Sequence, residues 1–366
     1  MGEQAGAALA QRFMARIKAI DGTRPVTANA HNTLGQNGSI LGVLDVMGLT
    51  YDQGDLDKMH AERPGAPLLN GESASCQSDR GDEDASGVIA CSRDSWAPAD
   101  ARIWDAGAFV WSGFDYRGEV GWPAVVSAYG VLDLCGFRKP VANWYTVWWG
   151  SAAGWEGAPA TVLASPAWEP PAGGAGAPVK ITALAAAPFL QLLVNGVAQG
   201  ARVAVPRLGF ATWSVPFQPG NYTVASFASA AGGAALGAFA SRTPGPAYAL
   251  RAEVDWPGSG PGGALRAGGR DAALVALSVV DAAGVVVERG GAFNLTFGVE
   301  GPGELLGLGN GDHQNHNPGQ GLSWVPTYGG RARALLRGAA AATGAPLRLT
   351  VAAAGLQPAG VQLEVV

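Results

Sequence analysis

Two spacings of apolar residues divide the chain into a part with helices and a part without them. Apolar side chains recur about every 3.6 residues over Gln4–Ile20, which predicts an amphipathic helix. Three more helices are predicted at residues 56–63, 99–105 and 139–149. Short apolar runs typical of buried strands alternate with them, at residues 24–28, 43–51, 67–70 and 109–116. This alternation indicates a parallel sheet with crossover helices.

After residue 150 the pattern changes to short strands separated by turns. Residues 157–177 are rich in Pro, Gly and Ala, which predicts a linker. Asn195-Gly196 is a strong hairpin signal in the strand-rich region that follows. The first group of predicted strands comprises residues 179–185, 189–194, 202–205, 211–215 and 222–227. The second group comprises residues 274–280, 285–287, 293–299, 333–336 and 347–352. Each group is predicted to form a β-sandwich.

Composition supports a folded, turn-rich protein. The 366 residues are 48% apolar and only 14% charged, and they include 55 glycines and 24 prolines. The net charge is −5 without a basic run, so nucleic acid is not expected as a partner. The longest stretch without charges, residues 208–241, is broken by proline and glycine, so no membrane span is expected. No signal peptide is visible at the start.

The cysteines and glycosylation tripeptides bear on the cellular compartment. Three cysteines exclude a disulfide scaffold. Cys76 and Cys91 flank one loop and could pair, but two free buried thiols are the favoured interpretation. Tripeptides for N-glycosylation begin at Asn37, Asn221 and Asn294, and they are compatible with secretion.

Four residues with suitable chemistry lie on or just after predicted parallel strands. Tyr51 ends the second strand, Glu72 follows the third, and Trp111 and Asp115 lie on the fourth. The carboxyl ends of such strands form the active-site face of a barrel. Aromatic residues are dense in the same third of the chain, and a sugar ring can stack on them while its hydroxyls bind carboxylates. A lone glutamate in this position is more often a helix cap or a surface ion-pair partner, and several of the tryptophans are compatible with core packing.

Several sequence blocks together resemble family 2 glycoside hydrolases, with the β-galactosidase branch fitting best. The blocks are Asp21-Gly-Thr-Arg-Pro-Val-Thr, Asp45-Val-Met-Gly-Leu-Thr-Tyr, Gly71-Glu-Ser-Ala-Ser, Trp111-Ser-Gly-Phe-Asp-Tyr-Arg-Gly-Glu and Gly130-Val-Leu-Asp-Leu-Cys-Gly-Phe-Arg-Lys. Later blocks, Leu192-Leu-Val-Asn-Gly and Gly301-Pro-Gly-Glu-Leu-Leu-Gly-Leu-Gly-Asn-Gly-Asp, are similar to the sandwiches that follow the barrel in this family. The order of so many blocks makes the resemblance specific.

The resemblance implies a role for each of these residues. Glu72 matches the catalytic nucleophile, and Tyr51 matches the tyrosine that donates a hydrogen bond to it. Trp111 and Asp115 match residues that line the sugar pocket. His60 is counted with the substrate-binding residues, and Arg80 also falls in a family position without an assigned role. Thr50 stands where the family usually has asparagine next to this tyrosine.

The second carboxylic acid of a retaining glycosidase is harder to find. In the family it belongs to a Gly-Asn-Glu that ends barrel strand four and precedes a helix. Here the chain begins at the start of that helix, so we expect it to lack this glutamate, the first half of the barrel and the preceding sandwiches. Glu3 is the only nearby carboxylate and is the acid/base candidate. Its alternative role is that of a first-turn residue favoured by the helix dipole.

No metal or cofactor is expected. The segment Asp312-His313-Gln-Asn-His316 contains metal-ligand types, but its short spacing and Gly/Asn-rich surroundings favour a solvated loop. Gly307–Gly311 does not open a helix, so it does not match a phosphate-binding loop.

The sequence thus predicts an α/β domain followed by two all-β sandwiches. Residues 1–150 are predicted as the second half of a (β/α)8 barrel, residues 151–246 as linker and immunoglobulin-like sandwich, and residues 247–366 as a second such sandwich. The implied activity is retaining hydrolysis of terminal β-galactosides, by a chain that forms a homo-oligomer or needs a missing N-terminal half. A β-mannosidase and a non-catalytic carbohydrate-binding or structural fragment are the alternatives. A β-glucuronidase is disfavoured because no Asn-x-Lys-Gly motif is found.

Overall fold

The computed structural model describes residues 4–31, 40–82, 84–154, 160–341 and 345–366. Its contacts divide the chain into two compact units. The first unit comprises Met1–Gln77 and Ser86–Gly113, and the second comprises Ser78–Ala85 and Phe114–Val366. None of the helices in the described ranges is both long and apolar enough to cross a membrane.

The first unit contains a parallel sheet with strands in the order of the chain. Its strands are β1 (Asn29–Ala30), β2 (Met47–Thr50), β3 (Leu68–Ser73) and β4 (Asp105–Val110). Its helices are α1 (Gln4–Ile20), α2 (Leu56–Glu62) and α3 (Ser86–Asp100). All three neighbouring pairs are parallel, as the alternation of helices and strands predicts.

The core of this unit contains side chains from the sheet and from the helix between two of its strands. Met47 and Leu49 of β2 and Leu68 of β3 are buried with Leu56 and Met59 of α2. Alternate residues of a strand face one side, so Leu68 and Asn70 are buried while the intervening Leu69 is only half-buried.

Two element predictions in this unit are wrong. Residues 99–105 do not form a helix, because α3 ends at Asp100 and Asp105 begins β4. Ala99 and Asp100 form the end of α3, residues 101–104 form a turn, and Asp105 pairs with β3, because sheet pairing overrides local helical propensity there. No strand forms at residues 24–28, and the two-residue strand β1 follows them at Asn29–Ala30.

The second unit begins with connecting structure and one helix. β5 (Tyr116–Arg117) pairs with β6 (Val126–Ser127), and α4 (Ala142–Ala152) follows. The segment predicted as a linker contains the strand β7 (Leu163–Ser165). It also contains Trp168, which is fully buried and packs against Phe217 and Tyr222. Those residues are therefore part of a folded sandwich, because their apolar surface is covered by its strands.

The first sandwich has two antiparallel sheets. Its further strands are β8 (Pro178–Leu184), β9 (Phe189–Val194), β10 (Val197–Ala198), β11 (Val203–Ala204), β12 (Ala211–Pro216), β13 (Asn221–Phe227) and β14 (Gly237–Arg242). One sheet has the order β12-β8-β7, and the other has the order β10-β9-β13-β14 with β11 beside β9. Asn195-Gly196 forms the predicted turn between β9 and β10.

The second sandwich has two four-stranded antiparallel sheets, ordered β15-β16-β20-β18 and β19-β17-β21-β22. The strands are β15 (Ala247–Trp256), β16 (Ala272–Asp281), β17 (Asn294–Glu300), β18 (Gly303–Gly309), β19 (Trp324–Pro326), β20 (Arg331–Gly338), β21 (Leu347–Ala352) and β22 (Ala359–Leu363). Inward residues of both sheets, such as Val275 and Leu349, share one core. Residues 285–287, predicted as a strand, form only an isolated bridge at Val286.

Candidate active site

Three predicted site residues lie at the carboxyl ends of adjacent parallel strands. Tyr51 follows β2, Glu72 is the second-last residue of β3, and Trp111 follows β4. The N–H of Tyr51 donates to the carbonyl of Glu72 at 3.1 Å. The N–H of Trp111 donates to the carbonyl of Ser73 at 2.7 Å. The three side chains therefore start from one edge of the sheet, which is where parallel α/β folds place their chemistry.

A β-bulge sets the direction of the Glu72 side chain. Leu49 pairs with Asn70 and Thr50 pairs with Glu72, so Gly71 is an extra residue in β3. Such a bulge changes the side to which the next residue points. A Cβ at Gly71 would overlap the side-chain amide of Asn29, so a larger residue here would require that side chain to move. Glu72 itself is half-buried, a position open to a ligand.

Tyr51 adopts a conformation that is unusual for a tyrosine. Its φ is 57°, in the left-handed region. Its hydroxyl is hydrogen-bonded to the hydroxyl of Ser75, three residues after Glu72. The end of β2 is thus connected through a side chain to the loop that follows the candidate nucleophile. The hydrogen bond from Tyr51 to the Glu72 carboxylate stays a prediction.

That loop is closed by a disulfide. Cys76 and Cys91 are bonded, with their Cα atoms 5.9 Å apart, so the interpretation as free thiols is wrong. The reason is tertiary: α3 packs beside the sheet and brings Cys91 to the loop after β3, at an ordinary disulfide separation. The remaining cysteine, Cys135, is a free thiol.

His60 lies away from this edge. It belongs to the last turn of α2, and its ring stacks on Trp104 with a centroid separation of 4.1 Å and an interplanar angle of 3°. Trp104 immediately precedes β4, at the amino end of the sheet. The structure therefore does not bring His60 together with Glu72.

Asp115 forms a buried ion pair in the second unit. Its Oδ1 lies 2.6 Å from Nζ of Lys139 and also accepts the N–H of Gly130 at 2.8 Å. Lys139 donates further to the carbonyls of Ser78 and Ala128. Burial raises the pKa of Asp115, against the opposing effect of Lys139. One of its oxygens is thus committed to protein contacts, and its role in a sugar pocket stays a prediction.

Asp79 and Arg80 anchor the short segment Ser78–Ala85 within the second unit. The hydroxyl of Tyr328 donates to Asp79 at 2.6 Å, and Nδ1 of His313 lies 2.7 Å from the other carboxylate oxygen. Nη2 of Arg80 donates to the carbonyls of Asn310 and Tyr328 at 2.6 and 2.7 Å. Arg80 therefore holds a structural position in the described residues.

The remaining candidates are the acid/base residue, the glycosylation asparagines and the histidine-containing loop. Glu3 and Asn37 lie outside the described residues. Asn221 and Asn294 are exposed. His316 makes a hydrogen bond of 2.6 Å with the carbonyl of Pro123. Among the described residues, no three His, Cys, Asp or Glu side chains are grouped as for a metal ion.

Sequence reasoning missed the residues that support the site. Ser75 is in the Gly71-Glu-Ser-Ala-Ser block, so its nearness to Glu72 was a usable signal. Lys139 and Tyr328 are 24 and 249 residues from their carboxylate partners, and no local pattern links such pairs.

A family model matches the second sandwich. The family is described as glycoside hydrolase family 2 C-terminal domain 5, and the match covers residues 262–362. A curated relative, beta-galactosidase BoGH2A of Bacteroides ovatus, is 29% identical over 347 residues, which is 85% of this chain and 38% of the relative. The second sandwich thus matches a family 2 glycoside hydrolase domain, and most of the chain is similar to part of this relative.

Solved structures of family 2 glycosidases have the same fold. A glycosyl hydrolase family 2 member from Bacteroides cellulosilyticus gives a TM-score of 0.82 at 18% identity, covering 98% of this chain and 47% of that one. A beta-glycosidase from Bacteroides vulgatus gives 0.75 at 19% identity, covering 98% of this chain and 49% of that one. The chain thus spans less than half the length of these relatives.

Proposed function

We propose that the protein is a retaining glycosidase for terminal β-galactosides, with Glu72 as nucleophile. The arrangement that carries this proposal is the half-buried Glu72 at a bulge between Tyr51 and Trp111, on the carboxyl edge of a parallel sheet. A carboxylate beside an indole suits a sugar, whose anomeric carbon is electrophilic and whose C–H face is apolar. The galactoside preference is supported by the relative whose name is beta-galactosidase.

In this mechanism an oxygen of Glu72 attacks the anomeric carbon. A bond forms between them as the glycosidic C–O bond breaks, and an acid donates a proton to the departing oxygen. Water then attacks the same carbon, the acid residue accepts its proton, and Glu72 leaves as a carboxylate. Tyr51 would favour the charged form of Glu72 by donating a hydrogen bond to it.

The proposal includes a complete barrel around this edge. β1 to β4 would be the second half of a (β/α)8 barrel, supported by their parallel order and by the crossover helices α2 and α3. A retaining mechanism needs a second carboxyl group about 5–5.5 Å from the nucleophile. We propose that a glutamate from the missing half supplies it, with Glu3 as the candidate within this chain.

The test uses an aryl galactoside whose leaving group needs no protonation. With this substrate Glu72 alone can form the glycosyl-enzyme, whereas lactose also requires the acid, which is worth about 10²–10⁴-fold. A 2-fluoro galactoside with the same leaving group should label Glu72, as peptide mapping would show. Glu72→Gln should abolish labelling.

A matched control is Glu62→Gln, an exposed carboxylate on α2 that should keep full labelling. Label on Asp115 would assign the nucleophile elsewhere. Saturable galactoside binding without any label would favour a carbohydrate-binding fragment. Faster reaction of an aryl mannoside would favour the β-mannosidase alternative. Normal turnover of lactose by the 366-residue chain would contradict the missing acid, and Glu3→Gln would then be tested.

We also propose that the protein resides in an oxidising compartment. It is supported by the Cys76–Cys91 disulfide, because such bonds persist outside the reducing cytosol. The exposed Asn221 and Asn294 are compatible with glycans there.

A further inference from the structure

The second unit contains a cavity of about 880 Å³ that is separate from the residues assigned above to catalysis. Its walls come from the segments 80–82 and 136–143, from the first sandwich and from the second sandwich. Seven basic side chains line it against four acidic ones. Asp115 and Asp133, which do not line the cavity, pair with Lys139 and Arg80, so the excess of positive charge is smaller than this count. A positive excess in a concave site favours an anionic ligand.

Three guanidinium groups surround one aromatic ring at the base of the cavity. The central carbons of Arg80, Arg331 and Arg333 lie 4.9, 6.0 and 4.4 Å from the centre of the Phe137 ring. Like charges this close repel one another, and a low-dielectric setting strengthens the repulsion. Burial and the neighbouring Arg331 both lower the pKa of Arg80.

One edge of a buried guanidinium has no acceptor. The Arg80 side chain is only 8% exposed, and its Nη2 serves two carbonyls. Its Nη1 has no hydrogen-bond partner among the described residues. Asp133 is the acidic partner of Arg80, but it approaches Nε at 3.4 Å, on the other side of the group. A buried donor left in this state is costly unless a ligand or water accepts from it.

Each guanidinium group of the cluster has one acidic neighbour: Asp255 pairs with Arg333, Asp133 with Arg80 and Glu288 with Arg331. What the cluster lacks, among the described residues, is an acceptor for Nη1 of Arg80. The two oxygens of Glu169 accept the N–H groups of Glu288 and Arg289 at 2.7 and 2.9 Å. Glu288 lies 3.6 Å from Arg331, and burial raises the pKa of its carboxyl group. At the rim, Arg138 donates to the carbonyl of Ala142 and the hydroxyl of Thr146, and Arg242 donates to the carbonyl of Ala283, so these acceptors are uncharged.

We infer that this cavity binds an oxyanion, the carboxylate or sulfate group of a carbohydrate. Planar guanidinium groups bind such oxygens in pairs, which lysine does not. The volume falls in the range of small-molecule sites, so it accommodates a sugar as well as its charged group. The cavity is built from residues of the second unit, and the inference does not depend on the activity proposed for Glu72.

Calorimetric titration of the 366-residue chain tests this inference. The probes are sodium sulfate, sodium glucuronate and galactose 6-sulfate, with galactose and sodium chloride at equal ionic strength as blanks. We expect saturable heat with the three oxyanions and none with the blanks. Tighter binding of the two charged sugars than of sulfate would indicate a sugar-borne anion, and equal binding would indicate a free one.

Two variants locate the site. Arg331→Gln should weaken binding about tenfold, the usual effect of one charged hydrogen bond. Arg138→Gln, at the exposed rim, should weaken it without affecting folding. Arg337→Gln is the matched control, because Arg337 is on the same strand but pairs with Glu304 and does not line the cavity. The inference would be overturned if no oxyanion gave saturable heat. It would also be overturned if Arg331→Gln and Arg138→Gln bound the oxyanions as tightly as the wild type and Arg337→Gln do.

Discussion

The hydroxyl of Tyr51 is hydrogen-bonded to the hydroxyl of Ser75. This contact joins the end of β2 to the loop that begins after Glu72 at the end of β3. Cys76, the next residue, is bonded to Cys91 of α3. The tyrosine predicted to orient the nucleophile is thus itself oriented by a residue next to a disulfide.

Ser75→Ala should therefore lower kcat for the aryl galactoside while KM changes little. Loss of one hydrogen bond is worth about 1 kcal/mol, which corresponds to about a fivefold decrease in kcat. Ser75→Thr, which keeps a hydroxyl, should recover activity. An unchanged kcat in the alanine variant would show that Ser75 does not position Tyr51.

Breaking the disulfide should destabilise the first unit. The bonded cysteines are 15 residues apart, and closing a loop of that length stabilises by about 3 kcal/mol. We expect Cys91→Ser to lower the urea midpoint and to admit protease cleavage between the two positions. Burial raises the pKa of the Cys135 thiol to about 12, so this residue stays protonated and unreactive. Cys135→Ala should keep the sensitivity to reductant, and Cys91→Ser should lose it.

Substitutions of Asp115 and Lys139 should have strongly non-additive effects on the free energy of unfolding. Their side chains are 3% and 1% exposed, so Lys139→Met leaves an uncompensated buried carboxylate. This costs about 3–5 kcal/mol. Adding Asp115→Asn should recover part of the loss, as a double-mutant cycle would measure. Lys180→Met, which removes an exposed pair with Asp84, should cost less than about 1 kcal/mol. Equal effects of the two lysine variants would contradict the coupling.

The carboxyl group of Asp79 should make the free energy of unfolding depend on pH in the acidic range. Burial raises its pKa, but the Tyr328 hydroxyl, the Gly81 N–H and His313 outweigh burial and leave the pKa below its ordinary value. A lowered folded pKa contributes stability above the unfolded pKa of about 3.9, and this contribution is lost as pH falls through the folded value. In Tyr328→Phe the pKa rises, so the loss should begin at higher pH. Thermal unfolding from pH 2.5 to 7 would show this, and Tyr248→Phe, at an exposed position, should behave as wild type.

One face of α1 should promote association. Its exposed apolar side chains are Leu9, Phe13, Ile17 and Ile20, at 40%, 58%, 43% and 76% exposure. They recur at helical spacing and form a continuous stripe. We expect the chain to bind a hydrophobic dye and to self-associate in sedimentation experiments, and Phe13→Ser with Ile17→Ser to reduce both. A monomeric wild type without dye binding would contradict this.

The sequence by itself determined the elements whose periodicity is local. The helix predicted at Gln4–Ile20 and the strands Phe189–Val194 and Leu347–Ala352 appear with the predicted bounds. Their side-chain spacing is set by one helix or strand, so a short window contains the whole signal. The placement of Tyr51 and Glu72 at strand ends was predicted for the same reason, whereas Trp111, predicted to lie on the fourth strand, follows β4.

Only the tertiary structure decided which distant residues meet. The disulfide, the Asp115–Lys139 pair and the arginines around Phe137 join positions from 15 to almost 200 residues apart. Residues 99–105 have helical composition, yet pairing with β3 makes their end a strand, because sheet hydrogen bonds depend on a partner elsewhere in the chain. Local propensity contains no information about that partner, and packing alone selects it.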